Sequence, residues 1–279
     1  PTMGTGWLPT SFYNLDFNAA LDLSSWINFS SDRCLYAFRG SDATSINISN
    51  WDTSSVATFY GMFYQCYDLE QVIGLNELSS AVVTGTGIQT MFQSCKKISF
   101  TGEANNFSTD WGLGLGNCTS LQSTFYECGK DLDPIFGGGG PPNVANWVLT
   151  ANTKIQSVFQ SSKFSSAPDI ESWDTSALAG TQTNFMYLAD WGSSYTLDLS
   201  AWNFTSALTG LAGAFRQVVN LTSIEFDSAN CNFGGTTTMN SMFYNSDQLE
   251  TIRFTGATDF SANLDFTNFT YDSDALATL

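Results

Sequence analysis

Nine phenylalanines, Phe12, Phe38, Phe63, Phe92, Phe125, Phe159, Phe185, Phe215 and Phe243, divide this chain into intervals of 25 to 34 residues. A tryptophan stands 12 to 14 residues ahead of six of them: Trp26, Trp51, Trp111, Trp147, Trp173 and Trp202. One rule thereby places six of the eight tryptophans. A fixed period of this length marks a repeat architecture, in which a unit buries its apolar face only by stacking on its neighbours.

The positions around each Phe carry further pattern. Four residues before it stand Leu8, Cys34, Phe59, Ile88, Leu121, Ile155, Thr181, Leu211 and Met239, eight of the nine apolar. That spacing puts both residues on one face of a helical turn, so a short helix is expected there. Three residues after it stand Leu15, Ser41, Cys66, Cys95, Cys128, Ser162, Leu188, Val218 and Ser246. The mixture describes a small buried slot. Alternating apolar pairs follow, such as Leu21/Leu23, Ile46/Ile48, Ile98/Phe100, Leu197/Leu199, Ile224/Phe226, Ile252/Phe254 and Leu264/Phe266. A period of two over so few residues predicts a short strand with one face buried. Asp52-Thr53-Ser54 and Asp174-Thr175-Ser176 fall where the helix would begin and suit capping rather than catalysis. Trp26, Trp51, Phe63, Phe92, Trp173 and Phe243 are expected in the core.

Composition removes several functions. The 279 residues hold 9 basic and 26 acidic side chains, for a net charge of −17, and no histidine. Such a surface repels phosphate, which argues against nucleic acid and anionic lipid as partners. Without histidine there is no Ser-His-Asp or Cys-His catalysis and no His-ligated zinc. No run approaches the roughly 18 apolar residues of a membrane span, so direct membrane insertion is not expected. An opening of Pro1-Thr2-Met3 reads as a processed product or an excised part of something longer.

Asn50-Trp51-Asp52-Thr53-Ser54-Ser55-Val56, followed by Met62-Phe63-Tyr64-Gln65-Cys66, resembles the BspA-like leucine-rich repeat, written roughly N-W-D-T-S-x-V, a gap, then M-F-x-x-C-x-x-L. Glu171-Ser172-Trp173-Asp174-Thr175-Ser176, Met91-Phe92-Gln93-Ser94-Cys95 and Met242-Phe243-Tyr244-Asn245-Ser246 repeat parts of it. Ser80 and Cys231 depart from it in Trp slots, and Thr181 in an apolar slot. The resemblance implies surface-exposed or secreted proteins, often adhesive, with no common enzymatic activity. Together with the period it predicts an α/β repeat solenoid. This is a leucine-rich-repeat-like, right-handed superhelix with a parallel strand ladder on one side and short helices or turns on the other. Residues 1–279 form one solenoid of about nine repeats of 25–34 residues. Gly137-Gly138-Gly139-Gly140-Pro141-Pro142 reads as a surface loop insertion. Phe269 falls in a Trp slot with the next Phe due just past Leu279, so both ends cut through a repeat. Uncapped ends suit a longer polypeptide or docking on further copies, end to end.

Candidate chemistry is sparse. Cys66, Cys95 and Cys128 share one slot that Ser fills elsewhere, which favours free thiols, with a bridge between neighbours as the alternative. Cys118 lies off that ladder. No C-x₂-C spacing suggests a metal site. Gly112-Leu113-Gly114-Leu115-Gly116 lacks the Lys of a phosphate loop. Asp131/Asp133 and Asp272/Asp274 are the acidic pairs with any claim on Ca²⁺; no other cofactor is suggested. Seven glycosylation sequons occur, at Asn28, Asn47, Asn106, Asn117, Asn203, Asn220 and Asn268; a chain this rich in Asn, Ser and Thr also generates them by composition. Between the inward strand residues lie Asp22, Asn47, Ser99, Asp198, Glu225, Arg253 and Asp265, expected as an outward ladder. Such a face suits a protein or glycan on another surface better than a small molecule. The expectation is a non-catalytic extracellular or surface-displayed adhesion-type module; the alternative is a structural subunit of a virion or an extracellular filament.

Overall fold

The computed structural model describes residues 12–16, 18–26, 33–78, 83–100, 115–132, 139–227, 229–231, 233, 238–256, 265 and 267–277. Its strands are β1 (Ala20–Asp22), β2 (Ser45–Asn47), β3 (Gln71–Ile73), β4 (Thr84–Gly85), β5 (Asn117–Cys118), β6 (Lys163–Phe164), β7 (Gly180–Thr181), β8 (Asp190–Asp198), β9 (Leu208–Gly210), β10 (Val219–Asp227) and β11 (Thr251–Thr255). Every pairing among them is parallel. The strands fall in two lines. Following the anchor Phe, sheets run β1-β2-β3 and β11-β10-β8-β6, and inward residues align as Leu21–Ile46–Val72 and Leu197–Ile224–Ile252. Ahead of the anchor, the pairs β4-β5 and β7-β9 are extended by single bridges, Thr238 to Gly210 and to Asp265 among them. The chain is a parallel-strand β-solenoid.

The expected helices do not form among the described residues. Among the described residues the one complete helical turn is a 3-10 turn at Leu75–Glu77, and Phe233 alone adds 3-10 conformation. Around each anchor the chain makes overlapping β-turns instead. The N–H groups of Met62, Tyr64 and Cys66 close back on the carbonyls of Phe59, Gly61 and Phe63, at 3.0, 2.9 and 3.2 Å. Those of Phe59, Gly61, Phe63 and Gln65 donate to Gly87, Gln89, Met91 and Gln93 of the next coil, at 2.7 to 3.0 Å. Alternate N–H groups thus serve the turn and the stack, where a helix would spend them all on itself. The alternation needs a left-handed residue on either side of the anchor. Gly61 and Gln65 (φ 58° and 61°) supply it here; Thr90/Ser94, Ser123/Glu127, Ser157/Ser161 and Ser241/Asn245 do so in other coils. Phe59 and Phe63 still both point into the core, so the spacing was met by turns rather than by a helix.

Stacking in register builds the core. Phe12, Phe38, Phe63, Phe92, Phe125 and Phe159 form one continuous pile, with centroids 5.1 to 6.1 Å apart and planes within 13°. Four tryptophans close a turn from the last inward strand residue: Trp26 N–H to Leu23, Trp51 to Ile48, Trp173 to Ile170 and Trp202 to Leu199. In three of them the indole N–H then reaches the preceding coil, Trp51 to the Leu23 carbonyl (3.2 Å), Trp173 to Val144 (2.9 Å) and Trp202 to Ile170 (2.9 Å). Of the six aromatics expected inside, Trp51, Phe63, Phe92, Trp173 and Phe243 are buried and Trp26 is partly so.

Several positions depart from the expected register. In the sixth interval Met186 occupies the anchor position, donating its N–H to Ala214 where Phe159 had donated to Phe185. Phe185 therefore sits one residue early, and its contact with Phe159 turns from parallel to 74°. Phe269 repeats this displacement. Its carbonyl accepts the Phe243 N–H, so it belongs to an anchor turn and not to a Trp slot. Leu188 leaves the small slot to Ala189 and is exposed, as is Leu15. Thr181 is exposed too, and Gln182 fills the space behind it, donating to the Thr153 and Ala179 carbonyls and accepting from the Ile155 N–H. Gly139 and Gly140, read as loop, form a rung: Gly139 bridges Phe164, and Gly140 accepts the Phe100 N–H. A Cβ on Gly139 would lie 2.8 Å from the Ile98 carbonyl, so only glycine fits. Gly137 and Gly138 lie outside the described residues.

Candidate functional site

The seven residues of the expected outward ladder divide. Asp22 pairs with Asn47 across β1 and β2. Asp198, Glu225 and Arg253 form a second rank across β8, β10 and β11. Ser99 stands between the ranks, its hydroxyl accepting the Gly140 N–H at 3.0 Å. Asp265 is not on this face; it bridges Thr238 in the other line of strands. In sequence Asp265 looks like a member of this face, because Leu264-Asp265-Phe266 has the same apolar-x-apolar form as Leu21-Asp22-Leu23.

Most of these groups are occupied with their own backbone. Asp22 Oδ1 accepts the Ser24 N–H (2.9 Å), Asn47 Oδ1 the Ser49 N–H (3.1 Å), and Asp198 Oδ1 the Ser200 N–H (3.0 Å). The hydroxyl and N–H of the serine two residues on hold the Asp22 and Asp198 carboxyls below their ordinary value. Asp52 and Asp174 cap in the same way, to Ser54 and Ser176, although no helix follows. Glu225 faces Arg253 at 3.4 Å. These side chains end strands and open turns.

The thiol slot is equally structural. Cys66, Cys95 and Cys128 donate to the carbonyls of Phe38, Phe63 and Phe92 in the preceding coil, at 2.9 to 3.1 Å, and Ser246 and Ser273 reach Phe215 and Phe243 with hydroxyls. All six cysteines are free and buried, Cys118 included. Burial pushes the Cys95 and Cys128 thiols well up, and that of Cys231 to about 12. No group of three or more potential metal ligands occurs among the described residues. Asp131, Asp272 and Asp274 are exposed, and Asp133 lies outside the described residues. Of the sequons, Asn117, Asn203 and Asn268 are exposed. Asn47 and Asn220 are partly buried with engaged amides, and Asn28 and Asn106 lie outside the described residues.

A second outward face, on the anchor turns, escaped the sequence reading. The residue after each anchor points away from the core, and its carbonyl accepts an N–H from the coil before. This register lines up Arg39, Tyr64, Gln93, Tyr126, Gln160, Tyr187, Arg216, Tyr244 and Tyr271. The column contains no acid, in a chain with 26 of them. Its cations lie between rings: the Arg39 guanidinium is 5.2, 5.2 and 5.1 Å from the centroids of Tyr13, Tyr36 and Tyr64. Arg216 is 5.2 Å from Tyr187 and 4.7 Å from Tyr244, and Tyr244 stacks on Tyr271 at 5.5 Å. The signal was legible in Met62-Phe63-Tyr64 and Met242-Phe243-Tyr244, where the ring after the anchor went unused.

Searches among curated proteins and among solved structures returned no significant match. A family described as "Mycoplasma protein of unknown function, DUF285" matches twice, over residues 8–129 and 119–256. The two matches take in both the anchor turns and the strand lines of most of the chain, which therefore belongs to the DUF285 family.

Proposed function

We propose that this protein is a non-catalytic recognition module, displayed outside a cell or on a virion, that binds a protein or a glycan on another surface. The observation that carries the reading is the anchor-turn column. One outward residue per coil is repeated in hydrogen-bonded register, five of the nine from Arg39 to Tyr271 being tyrosines and two arginines. Tyr and Arg are the residue types that concentrate binding energy in recognition surfaces, and a flat repeated face suits an extended ligand. The likeness to BspA-like repeats supports display at a surface and adhesion.

The test is saturable binding of the full chain to arrayed glycans and immobilised extracellular proteins, beside a variant with Tyr64, Tyr126, Tyr187 and Tyr244 changed to Ser. Binding that the variant loses while keeping its thermal transition supports the reading. Binding unaffected by the four changes, or none across the array, overturns it.

A further inference from the structure

We infer that Arg216 and its two tyrosines form a subsite for a sparsely charged acidic saccharide, one whose pyranose carries a carboxylate. The inference rests on the recognition reading above and specifies its ligand. Three observations converge on this place. Arg216 forms no ion pair among the described residues, although the chain has 26 acids and only 9 basic residues with which to pair them. Its Nε–H is shut off from solvent and has no hydrogen-bond partner. A buried donor left unpaired is costly, so the guanidinium has hydrogen-bonding capacity that the protein itself does not use. Tyr187 and Tyr244, at 5.2 and 4.7 Å, hold the guanidinium in place, and Tyr271 stacks on Tyr244.

The surroundings set the orientation. On one side Arg216 lines a cleft of ≈ 280 Å³ with Thr183, Asn184, Asn240 and Ser241, all neutral and able to hydrogen-bond hydroxyls. Gly213 (φ 61°) keeps that cleft open, since a Cβ there would stand 3.1 Å from Asn184 Oδ1. A separate recess of ≈ 240 Å³, lined by the next residue Gln217 but not by Arg216, contains the exposed Leu188 and Val219 together with Asp247. A carboxylate avoids Asp247, so it enters the neutral cleft toward Arg216, and the apolar face of an adjoining sugar takes Leu188 and Val219. Charge also limits the ligand: a net −17 repels dense polyanions, whereas one carboxylate meets chiefly the nearest cation within a Debye length of about 8 Å.

Titration of the full chain with a glucuronate-capped oligosaccharide, its carboxyl-reduced counterpart and a Glu-rich peptide tests this. The acidic saccharide should bind at least tenfold tighter than the reduced form. Arg216→Gln should remove that preference, and Arg216→Lys should restore part of it. The Arg216 Nε–H resonance should shift on binding, a readout that a merely structural arginine would not give. Lys97→Gln, at a surface ion pair with Asp68 outside the anchor-turn column, should change little. Equal binding of the reduced form, an unaffected Arg216→Gln, or preference for the peptide overturns the acidic-sugar assignment while leaving the recognition reading standing. Failure across the whole array of glycans and proteins, or binding that the four Tyr→Ser changes leave unaffected, removes both.

Discussion

Cys95 sits with no exposed surface between the anchor carbonyl of the coil before it and the thiols of its two neighbours in the slot. Desolvation disfavours its thiolate, the reactive form. All six cysteines should therefore resist iodoacetamide in the folded protein at pH 8 and react once it unfolds, as counted by mass spectrometry. Alkylation of Cys95 without unfolding would contradict the structure. The slot also ranks substitutions. Cys95→Ser keeps a donor of the kind Ser246 and Ser273 provide, and should cost less than about 1 kcal/mol. Cys95→Leu must displace packed neighbours and should cost about 1–3 kcal/mol, read from denaturant midpoints. The sequence made this slot legible through Cys, Ser and Val. Leu15 and Leu188 misled, because in the structure neither fills it.

Each anchor turn depends on left-handed residues, and the sequence does not always place the best ones there. Leu188 adopts φ 59° with an exposed side chain. A left-handed conformation costs a residue of this kind roughly 1–2 kcal/mol, and Asn bears it more easily. Leu188→Asn should therefore raise stability by about 1 kcal/mol, seen as a higher Tm. Gly61→Ala should do the reverse, losing more than about 1 kcal/mol, because φ is 58° and the new Cβ would run into the Tyr36 ring. These turns explain why helices were expected: an apolar pair four apart satisfies a helix and a run of overlapping β-turns alike, and only the Ser, Asn and Gly flanking the anchor separate the two. The anchors, the Trp turns and the strand triplets were legible because each is set by burial. The one-residue slip at Met186 was not, since Phe185 beside it is the more obvious anchor, and backbone register alone reveals the exchange.

For the molecule as a whole, charge works in two directions. Asp22, Asp52, Asp198 and Asp265 are held below the ordinary 3.8 by the hydroxyl and N–H of the residue two places on. Carboxyls lowered by folding lend stability that is complete above their unfolded value and lost as pH falls through the folded one. Protonation of the remaining acids meanwhile relieves the repulsion of a net −17. The Tm should hold or rise from pH 7 toward about pH 4, then fall below 3.8, and NaCl should raise it at pH 7 by screening. A monotonic rise into strong acid would dismiss the turn carboxylates as contributors. The bonds between coils give the molecule a mechanical character as well. Because alternate N–H groups point along the stack, tension between the two ends loads one coil's rung at a time rather than the whole ladder together. Each coil of 25 to 34 residues stores roughly 80–120 Å of chain, at about 3.3–3.6 Å per residue. Held between two surfaces and pulled, the protein would behave as a spool, releasing line one coil at a time and absorbing work at every turn released.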